Sequence, residues 1–179
     1  QLERSNVTPT YTTQPDFSWA IDNNFWPKEI IPKRYITLLP FCSKHLPHKK
    51  WPFYNELISM IRKENKNIEI VIVPGPGEVV EASSFDAQII LDGNQSTNFF
   101  QLAKILSESL FVVSNDTGPA HIAAHLGCSG LALFGSHTSS RKVSIKTDHF
   151  DVIESKDLTD ITVNQVFNKI QLHLQLEDI

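Results

Sequence analysis

The residue types best suited to chemistry sit together in Ser114-Asn115-Asp116-Thr117-Gly118-Pro119-Ala120-His121, between an apolar run over 110–113 and a small-residue run over 120–126. A strand that passes through such a segment straight into a helix makes a phosphate cradle. The first backbone N–H groups of the helix have no intrahelical partner, and the helix dipole favours negative charge there. Gly118 permits close approach of a ligand or of another backbone, and Pro119 suits the first helical turn. On the bland reading Asp116 and Thr117 only cap the helix. His121, facing the same mouth from the first turn, argues for more, because a threonine hydroxyl, free N–H groups and an imidazole together suit a diphosphate.

Three other segments fall at comparable positions. His45, His48, Lys49 and Lys50 precede Trp51-Pro52 after the first apolar run. Such a loop is either simply solvated or, at the carboxyl end of a strand, sets a lysine ammonium against a phosphate as a point charge. Pro74-Gly75-Pro76-Gly77 is a turn by composition, but Glu78 directly after it can accept hydrogen bonds from a ribose or base. Gly135-Ser136-His137-Thr138-Ser139-Ser140-Arg141-Lys142 has the hydroxyls to wrap a phosphate and equally the composition of a plain turn.

Competing chemistries lack their residues. Gly75-Pro76-Gly77 begins a dinucleotide fingerprint, but Val80 stands where the third glycine belongs, and there is no Walker A sequence. His121 and His125 share a helix face at zinc-ligand spacing, without the intervening glutamate of the metalloprotease signature or an obvious third ligand, so no metal is expected. No nucleophile elbow and no carboxylate pair in a pKa-raising context is found. The chain offers a binding site without an evident base.

The elements that must position these loops follow from periodicity. Short apolar runs over 35–41, 68–73, 89–91, 110–114 and 131–134 alternate with amphipathic stretches over 52–65, 96–106, 120–126 and 163–174. Val166, Phe167, Ile170 and Leu174 line one face of the last. Alternating β and α segments predict an α/β fold with a Rossmann-like parallel sheet flanked by helices. In such a sheet ligands bind beyond the carboxyl ends of the strands, which is where the loops 42–51, 74–78, 115–121 and 135–142 fall. Residues 1–33 carry Pro9, Pro15, Pro27 and Pro32 and lack periodicity, so they read as a linker ahead of a domain over 34–179. The aromatic Phe17, Trp19, Phe25 and Trp26 are expected to dock on that domain or on a neighbour.

Sixteen Lys and Arg against 20 Asp and Glu, a net charge of −4, argue against a general nucleic-acid binder. No apolar run approaches the roughly 20 residues that cross a bilayer. Cys42 and Cys128 match no metal spacing and read as buried thiols in a reducing, cytoplasmic compartment. The amino terminus has no initiator Met and no signal pattern, and reads as an internal start.

At this point the residues resemble glycosyltransferase family 9, the heptosyltransferases that build the lipopolysaccharide inner core. The resemblance is carried by Pro47-His48-Lys49-Lys50-Trp51-Pro52, Pro74-Gly75-Pro76-Gly77-Glu78, Asn115-Asp116-Thr117-Gly118-Pro119-Ala120-His121 and Phe134-Gly135, and covers about 35–141. Pro15-Asp16-Phe17-Ser18-Trp19 is similar to the linker leading into this half. Phe41-Cys42-Ser43 departs from the family's Pro-Gly-rich turn. The resemblance implies the C-terminal, donor-binding half of a GT-B enzyme, with the acceptor site and catalytic base in an N-terminal half, and a chain inactive without it. It further implies an inverting, metal-independent transfer that needs no cofactor. The ADP-sugar is the donor and a lipopolysaccharide core the acceptor, which would bring the full enzyme to the inner membrane peripherally. Lys49 is then expected on the donor phosphates, Glu78 on the ribose or adenine, and Asp116, Thr117, Gly118 and His121 on the diphosphate and sugar. The alternatives are an interaction module that keeps the half-fold, and a GT-B epimerase, for which no acid/base pair is seen.

Overall fold

The computed structural model of the protein describes residues 15–21 and 31–177, apart from the side chains of Arg141 and Glu177. Its strands are β1 (Tyr35–Leu39), β2 (Glu69–Ile72), β3 (Gln88–Ile89), β4 (Phe111–Asn115), β5 (Gly130–Phe134) and β6 (Phe150–Glu154). Its helices are α1 (Tyr54–Glu64), α2 (Val79–Ala82), α3 (Phe99–Ser107), α4 (Gly118–His125), α5 (Ser140–Val143) and α6 (Val163–Glu177). The strands form one sheet in the order β3-β2-β1-β4-β5-β6, every pair parallel. The chain runs outward from β1 through β2 to β3, then crosses back to β4 beside β1 and runs outward the other way. The crevice above β1 and β4 is therefore the point where the winding reverses.

Both faces of the sheet are covered, which is why its strands read as unbroken apolar runs instead of alternating ones. Ile36 and Leu38 of β1, Ile70 and Ile72 of β2, and Leu131 and Leu133 of β5 point to one core, shared with Trp51, Leu57, Ile61, Val166 and Ile170 from the α1 and α6 side. The intervening Tyr35, Leu39, Val71, Ala132 and Phe134 point to the other, shared with Ile105 and Leu106 of α3 and Ala120, Ala123 and Ala124 of α4. The alanine face lets α4 lie close over β4 and β5, so its first turn sits directly at their carboxyl ends. Gly127, at φ +76°, ends that helix in the left-handed conformation that glycine tolerates best.

The structure departs from the expectations in several places, among them the strand expected over 89–91, which forms at Gln88–Ile89. The helix expected from Ser96 begins at Phe99, because Asn98 accepts from Gln101 N at 3.0 Å while Gln101 Oε1 accepts from Asn98 N at 2.7 Å, a reciprocal cap. Strand β6 lay outside the expected runs. Cys128 is buried, its thiol pushed by burial up to about 12, whereas Cys42 is only half-buried. The docking expected of the early aromatic residues is seen for Phe17 and Trp19. The Phe17 ring meets Phe99 and His125, Trp19 stacks on Phe99 at 5.6 Å, and Phe17 N donates to the His125 carbonyl at 3.2 Å. Phe25 and Trp26 lie outside the described residues.

Candidate functional site

Asn115, the last residue of β4, organises the crevice from beneath and is not among the residues lining its cavities. It is fully buried, and its Oδ1 accepts from Trp51 N at 3.1 Å and from the Tyr54 hydroxyl at 3.3 Å. Its Nδ2 donates to the carbonyls of Pro40 at 2.9 Å and Phe41 at 3.3 Å. One amide thus ties the end of β4 to the start and the end of the first loop. Trp51 is held again where its indole N–H donates to the Ile161 carbonyl at 2.8 Å. Between these anchors Pro47–Lys49 forms a 3-10 turn that turns Lys49 back toward β4.

Lys49 Nζ lies 2.8 Å from Asp116 Oδ2, and His137 Nε2 lies 2.7 Å from that same oxygen. His121 Nε2 is 3.8 Å from Oδ1, an ion-pair separation longer than a hydrogen bond. Asp116 is only 6% exposed. Burial works to raise its carboxyl, but the contacts with His121, Lys49 and His137 outweigh it and hold the group far below the usual carboxylate range. Asp116 is therefore a fixed anion with basic groups on both oxygens. Thr117 takes the cap position of α4 without a side-chain cap bond, so the capping role open to Asp116 and Thr117 is filled by neither side chain. The Thr117 hydroxyl instead lies 3.4 Å from that of Ser114. A Cβ added to Gly118 would meet nothing within 4 Å, so a side chain there would project into the crevice.

Two cavities meet at Thr117 and Gly118. The polar one, about 450 Å³, is lined by Lys49, Asp116, His121 and His137. The apolar one, about 360 Å³, is lined by Leu39, Phe41, Val73, Pro76, Phe99 and Glu78 among others. Glu78 closes the second loop on itself, its Oε2 accepting from Gly75 N at 2.7 Å. Cys42 also lines the apolar cavity. Burial raises its thiol against the opposing pull of Lys50 and Lys49, and the thiol donates to the Leu46 carbonyl. Of the residues singled out from sequence, Lys49, Asp116, Thr117, Gly118 and His121 come together at the polar cavity, and Glu78 stands apart at the apolar one. His137 and Asn115 were present in the motifs but carried no assigned role.

A six-stranded all-parallel sheet flanked by helices, with its loops gathered at the switch point, is the Rossmann-like half-fold found in GT-B glycosyltransferases. The sequence matches the model of glycosyltransferase family 9 (heptosyltransferase) over residues 2–158, and the chain belongs to that family. Comparison with curated proteins gave no match. Among solved structures it is similar to E. coli ADP-heptose lipopolysaccharide heptosyltransferase II, with TM-score 0.68, 21% identity, 97% of this chain and 54% of that one covered. It is also similar to E. coli heptosyltransferase WaaC with ADP-2-deoxy-2-fluoro heptose, with TM-score 0.68, 21% identity, and 96% and 52% covered. A UDP-GlcNAc 2-epimerase from Methanocaldococcus jannaschii shares the fold at TM-score 0.52 and 11% identity, with 83% and 42% covered. The chain spans about half the length of the two heptosyltransferases. No helix among the described residues is long and apolar enough to cross a membrane.

Proposed function

We propose that this chain is the donor-binding half of a glycosyltransferase that moves heptose or a related sugar from an ADP-sugar to a lipopolysaccharide core acceptor. The observation that carries the proposal is the junction of the two cavities at Thr117 and Gly118. An apolar slot for a flat base opens there into a polar chamber with a lysine, at the positive end of α4. In this reading the base lies in the slot with Glu78 on the ribose or adenine side. Lys49 meets the phosphates, and Asp116, Thr117, Gly118 and His121 meet the diphosphate and sugar. As the glycosidic bond breaks, negative charge grows on the departing diphosphate. A charge-assisted contact from Lys49 contributes about 1.5–3 kcal/mol and the α4 terminus about 0.3–1 kcal/mol more. Stabilisation of this kind needs no metal, and inversion follows if the acceptor attacks from the face opposite the diphosphate. The acceptor and the base that deprotonates it belong, in this proposal, to a facing N-terminal domain, without which the described half binds and does not transfer. The setting proposed is the cytoplasm, at the inner membrane surface, and no cofactor is required.

Isothermal titration with ADP tests the proposal. ADP is expected to bind, UDP to bind more weakly, and Lys49→Ala to weaken ADP by roughly tenfold to a hundredfold. Absence of heat with millimolar ADP would sink it. The alternative of an interaction module draws on Trp19, which is 65% exposed beside Phe99 and the exposed Phe100. That reading expects indifference to nucleotide and a defined oligomer in solution.

A further inference from the structure

We infer that His137 is the replacement counter-ion of Asp116. When a diphosphate enters the polar cavity, Lys49 leaves Asp116 for the phosphate oxygens, while His137 takes up one proton from solvent at Nδ1 and holds Asp116 in its place. The inference rests on the donor-site reading above and gives His137, which that reading does not use, a positioning role within the same site.

The geometry supplies the reasons. Lys49 and His137 converge on one carboxylate oxygen, at 2.8 and 2.7 Å, so one of them is redundant for Asp116 as long as the other stays. They differ in freedom. Lys49 is a charge on a four-carbon stem, 19% exposed at the cavity rim. His137 is 10% exposed, its ring stacked against Phe134 at 12° and edge-on to His48. The movable cation is the one a ligand can draw away, and the fixed one stays. A buried carboxylate cannot then be left bare beside an anion, since removing one partner of a buried pair strands the other charge.

Charge counting points to the proton. Asp116 and Lys49 cancel, so a diphosphate adds its negative charges to a neutral cluster. The groups facing His137 are His48 and Lys49 from the first loop, Asp116 at the end of β4, and His121 on α4. The acid of the neighbouring strand, Glu154, is taken up by Ser140 N, and Lys50 pairs with Glu81. With Nε2–H donating to the ionised Asp116, the nitrogen left to accept a proton is Nδ1, which is buried and has no hydrogen-bond partner among the described residues.

The first test needs no ligand. In Lys49→Met, His137 is left alone on Asp116 Oδ2, with His121 still 3.8 Å from Oδ1, so the His137 ring resonance, followed by histidine-resolved NMR, should titrate at higher pH than in the native chain; an unchanged midpoint overturns the proposal. The second uses ADP-ribose, a diphosphate diester whose own charge is constant between pH 6 and 8. Calorimetry in buffers of different ionisation enthalpy should show net proton uptake on binding. Because binding in this proposal takes up a proton, affinity should fall as pH rises, by up to about tenfold per pH unit. His137→Gln keeps a donor for Asp116 but cannot be protonated, and should abolish both the uptake and the pH dependence. Binding with the same proton count in His137→Gln, or uptake traced by NMR to His121 instead, overturns this inference and leaves the donor site standing. No binding of ADP-ribose at any pH overturns the donor-site reading and the ligand step with it. If His137→Gln does not fold, the Lys49→Met titration decides.

Discussion

Asn115 makes contacts to Trp51, Tyr54, Pro40 and Phe41 from a fully buried position, and no apolar residue of similar volume replaces them. Asn115→Leu strands buried donors and acceptors on both loop anchors and should cost on the order of 3 kcal/mol, read from urea unfolding. A cost under about 1 kcal/mol would mean that the loop is anchored by other means. Its neighbour Asp116 makes a pH-dependent contribution. A carboxyl depressed in the folded state stabilises fully above its unfolded value, near 3.8, and that stability is lost as pH falls through this range and below. Asp116→Asn should therefore flatten the acid limb of a stability profile taken from pH 7 to pH 3, while the native chain loses stability along it. Lys49, Asp116, Thr117, Gly118 and His121 were legible because each stands in a short segment whose order of types has a mechanical meaning. His137 was not, since a loop of hydroxyls with one imidazole reads equally as a turn, and only its 2.7 Å approach to Asp116 separates the two readings.

At the scale of elements, Gly130 decides how β5 meets its neighbours. A Cβ there would lie 2.7 Å from the Val112 carbonyl oxygen and closer still to the Phe150 ring. Gly130→Ala should destabilise by about 1–3 kcal/mol through forced shifts of β4 and β6, measured as a drop in the denaturant midpoint. A neutral result would show that Phe150 has room to turn. Strands β1, β2, β4 and β5 were legible as apolar runs because they are covered on both faces. Strand β6, Phe150–Glu154, lies at the sheet edge and mixes Phe150, Val152 and Ile153 with Asp151 and Glu154. An edge strand of this mixed composition gives no continuous run, so periodicity passes over β6, whereas β3 at the other edge was marked by the short run over 89–91 and forms at Gln88–Ile89. The start of α3 was misplaced for a related reason. Ser96 and Asn98 are both capping types, and the glutamine three residues after Asn98 was the signal that distinguished them.

For the whole molecule, ligand binding and stability are linked. If ADP binds only the folded chain, a concentration of one hundred times its Kd should stabilise by about 2.7 kcal/mol. A thermal melt would then rise by several degrees with ADP, and less with UDP. Equal shifts for the two nucleotides would remove the adenine preference from the proposal. By itself the sequence determined the α/β class, the family resemblance later matched over residues 2–158, and the loops that could touch a ligand. It could do so because hydrophobic period and strand-to-helix punctuation are local properties of the chain. Only the tertiary structure decided that Lys49 and His137, 88 residues apart in numbering, share one oxygen of Asp116. It alone separated an apolar slot with Glu78 from a polar chamber with His121. Those facts depend on the strand order, which brings the carboxyl ends of β1, β4 and β5 side by side, and no local pattern of residue types encodes which ends will be neighbours.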